Sequence, residues 1–456
     1  MNENENSAVD FNRRDFLKGG SVATLMTMLG GVELLGQAPA PALSTYAGPR
    51  MKVGVIGLGL WGREIVTTLM QIDQAEVAAI CDTYPAMVRR TADAAPKAAQ
   101  TADYKTILAN KDIKAVIVAT PTHKHKEIVL EALKAGKHVY CEAPLAHSVE
   151  DAREIALAAK IAAQQVFQAG FQMRSDPQRH FLLPFLRSGA IGKSIMARAQ
   201  WHKKQSWRSA SPKPEREKEL NWRLSKETST GLMGEIGSHA VDQVAWFLSA
   251  MPKAVTGFGG INFYTDDGRD VPDTVQAVFE FPGGVNMFYD ATLANSFDGQ
   301  YEIVYGSDAA VMLRESNAWL FKEVDSPLLG WEVYARKEMF YKETGIALVA
   351  NASKAVVPTG QQAQKEEITS TPLFFALQRF TLNAADITNA IEDFTSSFGT
   401  DDPKALAEQV AKVRAVARPA SDYLEGFRAT VMGIKANEAI LSQNRLVLKP
   451  EWYELS

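Results

Sequence analysis

The 456-residue chain has two cysteines, Cys81 and Cys141, too few for a disulfide framework. It has no surplus of positive charge. Forty-nine Lys and Arg against 53 Asp and Glu give a net charge of −4, which excludes the basic field of a nucleic-acid-binding protein. It has no internal repeat, no low-complexity tract and no run of about 20 predominantly apolar residues, so solenoid and polytopic membrane folds are excluded. What remains is 46% hydrophobic and 22% charged, the composition of a globular protein. Its length suits two domains of roughly 100–200 residues each.

Residues 1–49 read as a targeting segment and linker. Asn12-Arg13-Arg14-Asp15-Phe16-Leu17-Lys18 resembles the twin-arginine export signal, with Asn where Ser or Thr is usual. A weakly apolar stretch follows over 19–36, interrupted by glycines and Glu33. Ala40-Pro41-Ala42 then fits a small-x-small cleavage pattern. The resemblance implies a partner, the twin-arginine translocation machinery, and a periplasmic or exported address reached by an already folded protein. The scarcity of cysteine then fits folding inside the cell before transport.

Residues 50–148 read as a dinucleotide-binding domain. A buried strand runs into Gly57-Leu58-Gly59-Leu60-Trp61-Gly62, the spacing G-x-G-x-x-G, and a helix follows over 63–71. The first glycine permits the tight turn, the second lets backbone approach a pyrophosphate, and the third allows close helix–strand packing. The helix N-terminus offers free N–H groups to the phosphates. A second strand ends in Asp82, 25 positions beyond Gly57, where a carboxylate accepts from a ribose 2′-OH and repels a 2′-phosphate. That favours NAD, while Arg89 and Arg90 leave NADP open. Further strands at 115–119 and 138–141 alternate with helices, which predicts a parallel α/β sheet with its ligand at the carboxyl ends. The loop at Thr120, Pro121 and His125 and the turn at Glu142 therefore border the cofactor.

At these residues the chain resembles the glucose–fructose oxidoreductase / inositol dehydrogenase / MocA family. The resemblance is carried by the glycine loop, by Ala119-Thr120-Pro121 with His125, by Ala135-Gly136-Lys137-His138-Val139-Tyr140-Cys141-Glu142-Ala143-Pro144-Leu145, and by Gly231-Leu232-Met233-Gly234-Glu235-Ile236-Gly237-Ser238-His239-Ala240-Val241-Asp242. It implies a Rossmann domain, then an α/β domain whose large, mostly antiparallel sheet carries the substrate face and packs against another subunit in a homo-oligomer. It also implies that His239 is the acid/base and Glu235 the carboxylate beside it. Two departures stand out. The family's Glu-Lys-Pro reads Glu142-Ala143-Pro144, so its catalytic lysine is missing, and its Asp four residues before the histidine is Glu235. Lys203 and Lys204 are candidate replacements, because their strand end should border the site.

Residues 149–456 form the substrate half. A helix is expected over 149–164 and a strand over 165–172. Family pattern places a sugar-contacting arginine near Arg174, with a structural salt bridge as the equal alternative. The charged loop at 205–230 carries Trp207 and Trp222, candidates for stacking on a sugar or for packing. Glu235, His239 and Asp242 fall at i, i+4 and i+7, one face of a helix. A metal site is the competing reading of that trio, set aside because the family role accounts for the residues. Four strand-like runs between 255 and 305 suit the antiparallel sheet, with Asp273 and Tyr301 as possible pocket edges. Residues 315–420 read as an atypical insertion with helices over 373–387 and 403–416 and a mobile surface loop at 352–372. A last helix over 421–440 and a strand over 445–448 complete the reading.

Three functions remain open at this stage. One is an oxidoreductase moving hydride between a sugar or sugar-like carbon and NAD. The second is a glycosidase that oxidises, eliminates, adds water and reduces again. The third is a sugar- or cofactor-binding protein whose catalytic set has decayed at Ala143. Export favours a tightly retained cofactor and redox-neutral turnover, because the periplasm offers no obvious pool to recycle NAD.

Overall fold

The computed structural model describes residues 48–455, apart from 212, 316, 329–336, 341–342, 349–369 and 400. The targeting segment and most of the loop expected at 352–372 lie outside the described residues. Among the described residues no helix is long and apolar enough to cross a membrane.

In chain order the first half holds β1 (Met51–Ile56), α1 (Leu60–Leu69), β2 (Ala75–Cys81), α2 (Pro85–Ala92), β3 (Ala99–Thr101), α3 (Tyr104–Ala109), β4 (Ala115–Val118), α4 (His125–Lys134), β5 (His138–Cys141), α5 (Val149–Ile161) and β6 (Phe167–Ala169). Then come α6 (Pro177–Arg187), β7 (Ser194–His202), α7 (Glu217–Leu220), α8 (Ser238–Leu248), β8 (Ala254–Gly260), β9 (Thr274–Glu280), β10 (Asn286–Thr292), β11 (Gln300–Gly306), β12 (Ala309–Arg314), β13 (Asn317–Lys322), β14 (Lys337–Phe340) and β15 (Glu343–Ala347). The chain closes with α9 (Pro372–Phe398), α10 (Pro403–Ala415), α11 (Tyr423–Ser442) and β16 (Leu446–Val447).

The first six strands pair in parallel in the order β3-β2-β1-β4-β5-β6. Strands β4 and β5 are buried throughout, as strands covered on both faces must be, which is why their sequences are nearly all apolar. The order reverses between β1 and β4, so a crevice opens at their carboxyl ends. The sheet continues past residue 148, where the sequence places the domain border. Helix α5 crosses over to β6, the sixth strand, which pairs with β5 from Val139↔Phe167. Only residues 167–169 of the expected strand over 165–172 pair in this way.

The second sheet has ten strands in the order β14-β15-β13-β12-β11-β7-β10-β9-β8-β16, antiparallel except for the β7–β10 pair. The stretch expected to stand apart as an insertion over 315–420 is shared between the two halves. Strands β13, β14 and β15 extend the large sheet, and α9 covers the outer face of the parallel sheet. The inner face of α9 presents Leu373, Ala376, Leu377, Phe380 and Ala384 to a core containing Leu58, Ile65, Leu69 and Tyr140. The rings of Phe380 and Tyr140 meet edge-on, 5.7 Å apart. Burial of each Leu or Phe there contributes about 1.5–3 kcal/mol. A second core joins the other face of the parallel sheet to the inner face of the large one, with α5, α8 and α11 between them.

Candidate active site

The turn between β1 and α1 is built by its glycines. Gly57 has φ +95°, and a Cβ there would lie 2.6 Å from Ala119 backbone. A Cβ on Gly62 would lie 1.9 Å from the Gly57 carbonyl oxygen. Gly59 differs, since its Cβ would meet no protein atom within 4 Å. It caps α1 without a side-chain acceptor, so first-turn amides of Leu60, Trp61 and Gly62 stay available to an anion. The residues present thus fit a dinucleotide pyrophosphate. Leu58 is a correction to the expected set. Its side chain is core, and its amide donates to Asp82 Oδ2 at 2.8 Å.

Asp82 also accepts from the Tyr84 amide at 2.7 Å, which fixes its carboxylate at the end of β2. Burial raises its pKa, with the Leu58 and Tyr84 amides and Arg216 opposing. Arg89 and Arg90 are exposed on α2. A cation that sequence reasoning missed, Arg216, reaches this corner from the other half of the chain. It donates to the Thr83 carbonyl and hydroxyl, both at 3.0 Å, pairs with Glu219 at 2.8 Å and lies 4.7 Å over the Tyr84 ring.

At the inner end of the crevice the loop after β4 meets the turn after β5. The His125 ring lies between them, with Nδ1 3.1 Å from the Pro144 carbonyl and Nε2 2.9 Å from the Thr120 carbonyl. Burial lowers its pKa to about 4, so the neutral ring donates to one carbonyl and faces the other. His125 is therefore a brace for the loop carrying Thr120 and Pro121, not the cofactor contact expected of it. The Thr120 hydroxyl is buried without a hydrogen bond. Glu142 is buried as well, and its Oε1 has no hydrogen-bond partner. Burial pushes its carboxyl up to about 7, against Trp61, the Ala143 amide, Arg223 and Tyr140.

The expected single face of Glu235, His239 and Asp242 does not form. Residues Met233–Gly237 make a π-helical turn before α8. Its extra residue per turn rotates Glu235 out of line with α8. Glu235 faces the loop after β4, accepting from Thr122 Oγ1 at 2.9 Å, Thr230 Oγ1 at 2.9 Å and the Thr230 amide at 3.1 Å. Asp242 instead holds Arg174 through two bonds of 2.8 Å, and Arg174 also pairs with Glu425, the capping-box residue of α11. The alternative reading of Arg174 is the one realised. Both Arg174 and Asp242 are engaged within the protein, tying α8 to α11, and neither is left to contact a sugar.

His239 alone remains free. Its ring packs 5.1 Å from Phe171, and among the described residues it makes no hydrogen bond. Burial lowers its pKa to about 4, with Asp242 opposing. The imidazole is therefore neutral at pH 7 and able to accept a proton.

Lys203 and Lys204 are both exposed, and the Lys204 ammonium lies over the Phe263 ring at 5.2 Å. Neither replaces the lysine missing at Ala143. Trp207 and Trp222 are half-buried and flank Arg223, whose guanidinium carbon lies 5.6 Å and 4.9 Å from their ring centres. Asp273 is no pocket edge. It is buried under the amides of Asn262, Phe263 and Tyr264. Tyr301 is buried under Arg314.

Comparison with known proteins agrees with this fold. The family model described as "Oxidoreductase family, NAD-binding Rossmann fold" (GFO_IDH_MocA) matches residues 51–171, and the GFO/IDH/MocA C-terminal domain model matches 184–312. The chain is 28% identical over 262 residues to the 2,7-anhydro-N-acetylneuraminate hydratase of Escherichia coli, covering 57% of this chain and 66% of that protein. It is 33% identical over 149 residues to the levoglucosan dehydrogenase of Pseudarthrobacter phenanthrenivorans, covering 32% of this chain and 36% of that one. The matched stretches thus span less than two thirds of either relative. A levoglucosan dehydrogenase solved with NADH and L-sorbose superposes with a TM-score of 0.63 over 88% of this chain and all of that one, at 18% identity, which supports the fold.

Proposed function

Because this chain belongs to the GFO/IDH/MocA family of NAD-binding oxidoreductases, we propose that it oxidises a hydroxyl of a sugar or sugar-like polyol to a carbonyl, with the cofactor held on the protein and its hydride passed to the carbonyl of a second sugar, so that turnover closes without net redox change. The observation that carries this reading is His239, a half-buried, neutral imidazole with no hydrogen-bond partner among the described residues. NAD, when bound in the cradle of Gly57, Gly59, Gly62 and Asp82, supplies the two-electron acceptor. His239 takes the hydroxyl proton at a ring nitrogen and later returns it. The Arg174–Asp242 pair fixes the helix that presents it.

Retention of the cofactor is supported by the Arg216 clasp. The substrate half bonds to Thr83 beside Asp82, which would put Arg216 across the ribose corner of a bound cofactor. Protein purified without added cofactor is expected to carry NAD by mass spectrometry and absorbance. On polyols or sugars supplied together with an aldose or ketose acceptor it should give oxidised and reduced sugar in equal amounts without net NADH. Arg216→Ala should speed NAD loss roughly tenfold, about 1.4 kcal/mol of holding. A protein that binds no dinucleotide even when NAD is added overturns the proposal.

A second reading, glycoside or anhydrosugar cleavage by oxidation, elimination, hydration and reduction, is favoured by Glu142. That sequence needs a second proton acceptor, and burial brings the Glu142 carboxyl to about 7. The similarity to a hydratase supports the same reading. Free sugar formed from a glycoside without net NADH selects it. Net NADH accumulation excludes it.

We propose further that the chain is exported by the twin-arginine route and pairs with a second copy through the outer face of its large sheet. The first rests on Arg13-Arg14 with Phe16-Leu17-Lys18. The second rests on Phe258 and Phe288, 61% and 46% exposed beside a groove of about 430 Å³ lined by Met196, Thr256 and Tyr305. Arg13→Lys with Arg14→Lys should retain the protein in the cytoplasm, and Phe288→Glu should shift light scattering from dimer mass or more to monomer.

A further inference from the structure

The corner where Asp82 would meet a ribose 2′-OH is shared with the other half of the chain. Arg216 ends the turn that leads into α7, and Glu219 lies within that helix. Arg216 Nη1 donates to the Thr83 carbonyl and Nη2 to the Thr83 hydroxyl, each at 3.0 Å. Its Nε and Nη2 also reach Glu219 Oε2, at 3.0 Å and 2.8 Å. The Thr83 hydroxyl donates in turn to Glu219 Oε1 at 3.5 Å. Arg216, Glu219 and Thr83 thus close a ring of hydrogen bonds one residue beyond Asp82.

The loop is braced in this position. Asn221 accepts from the Ser209 amide at 2.7 Å and donates to the Ser209 and Glu217 carbonyls, both at 2.9 Å. The neighbouring charges are engaged elsewhere, Glu217 with Arg208 and Lys218 with Glu227. Arg89 and Arg90 stand exposed in the last turn of α2. Recognition of a 2′-phosphate in this fold uses an arginine near the ribose, through charge-assisted bonds from its guanidinium. Arg216 is in place for that task, but its donors are spent on Glu219 and Thr83. A phosphate entering here must also face a second carboxylate beside Asp82. An uncharged ribose hydroxyl meets neither obstacle.

We propose that Glu219 sets the preference of this site for NAD over NADP by holding Arg216 to itself. Selectivity is then built from both halves of the chain, by Asp82 at the end of β2 and by Glu219 on α7. Glu219 acts in two ways, occupying the arginine that would bind a 2′-phosphate and repelling the phosphate itself. Without its charge, Arg216 becomes a phosphate-binding arginine. The inference rests on the reading of this crevice as a dinucleotide site, and it needs no substrate to test.

The test is equilibrium dialysis of the full-length protein against equal concentrations of NAD and NADP, continued until the bound ratio is constant and read by mass spectrometry. The native chain should hold mainly NAD. Glu219→Gln should raise the bound NADP-to-NAD ratio roughly tenfold or more. Glu219 is exposed, so the melting temperature should stay native. The same change made in an Arg216→Ala background should raise the ratio by less than about threefold, because the arginine that gains the phosphate is gone. A ratio unmoved by Glu219→Gln, or a full gain that persists without Arg216, overturns the proposal while NAD binding stands. A native chain that takes up neither dinucleotide overturns the cofactor reading and the proposal with it.

Discussion

Replacing His239 by glutamine should lower turnover by about 10²–10⁴-fold while NAD stays bound and the melting temperature barely moves. The effect is confined to chemistry because the ring supports little else. It packs against Phe171 and makes no hydrogen bond among the described residues. The pH profile gives a second readout. A group with its pKa lowered to about 4 is a competent base at any pH above that value. If His239 is the only group that must be deprotonated, activity falls only as pH drops toward 4. If Glu142 must also be ionised, the acid limb lies near 7 and moves down in Ala143→Lys. An active His239→Gln protein would remove the assignment outright.

The parts of the site that could be read from the sequence are those whose chemistry is local. Gly57, Gly59 and Gly62 act within one turn, and Asp82 ends the neighbouring strand, so spacing alone locates them. His239 could be singled out because its motif is short and contiguous. What failed was the extrapolation from it. Regular helical periodicity aligned Glu235 and Asp242 with His239, but one five-residue turn at Met233–Gly237 breaks that phase. Arg216 was illegible for a different reason. It sits in a polar loop at 205–230 that looks solvent-facing, and only the folding of that loop against Thr83 and Tyr84 gives it a role. Helix α9 shows the same limit in the fold. Its apolar stripe over 373–387 signals a buried face, but nothing local says that its partner is the sheet formed by residues 51–169.

Two single-carbon changes in the glycine loop separate fold from cofactor, and their contrast is the strongest test of the cradle. In Gly62→Ala the new Cβ would lie 1.9 Å from the Gly57 carbonyl, and that carbonyl has little freedom because Gly57 is pressed against Ala119. The turn must open, at a cost on the order of 1–3 kcal/mol in stability, and NAD binding is lost with it. In Gly59→Ala the Cβ meets no protein atom, and φ of −60° is ordinary for alanine, so the melting temperature should stay native. The methyl instead stands where the backbone must approach a pyrophosphate, and NAD affinity should fall at least tenfold, about 1.4 kcal/mol or more. Differential scanning calorimetry with and without NAD measures both quantities. If Gly59→Ala binds NAD as tightly as the native chain, the pyrophosphate does not lie at the head of α1. If Gly62→Ala melts normally, the close approach of α1 to the Gly57 turn is not what holds the two together.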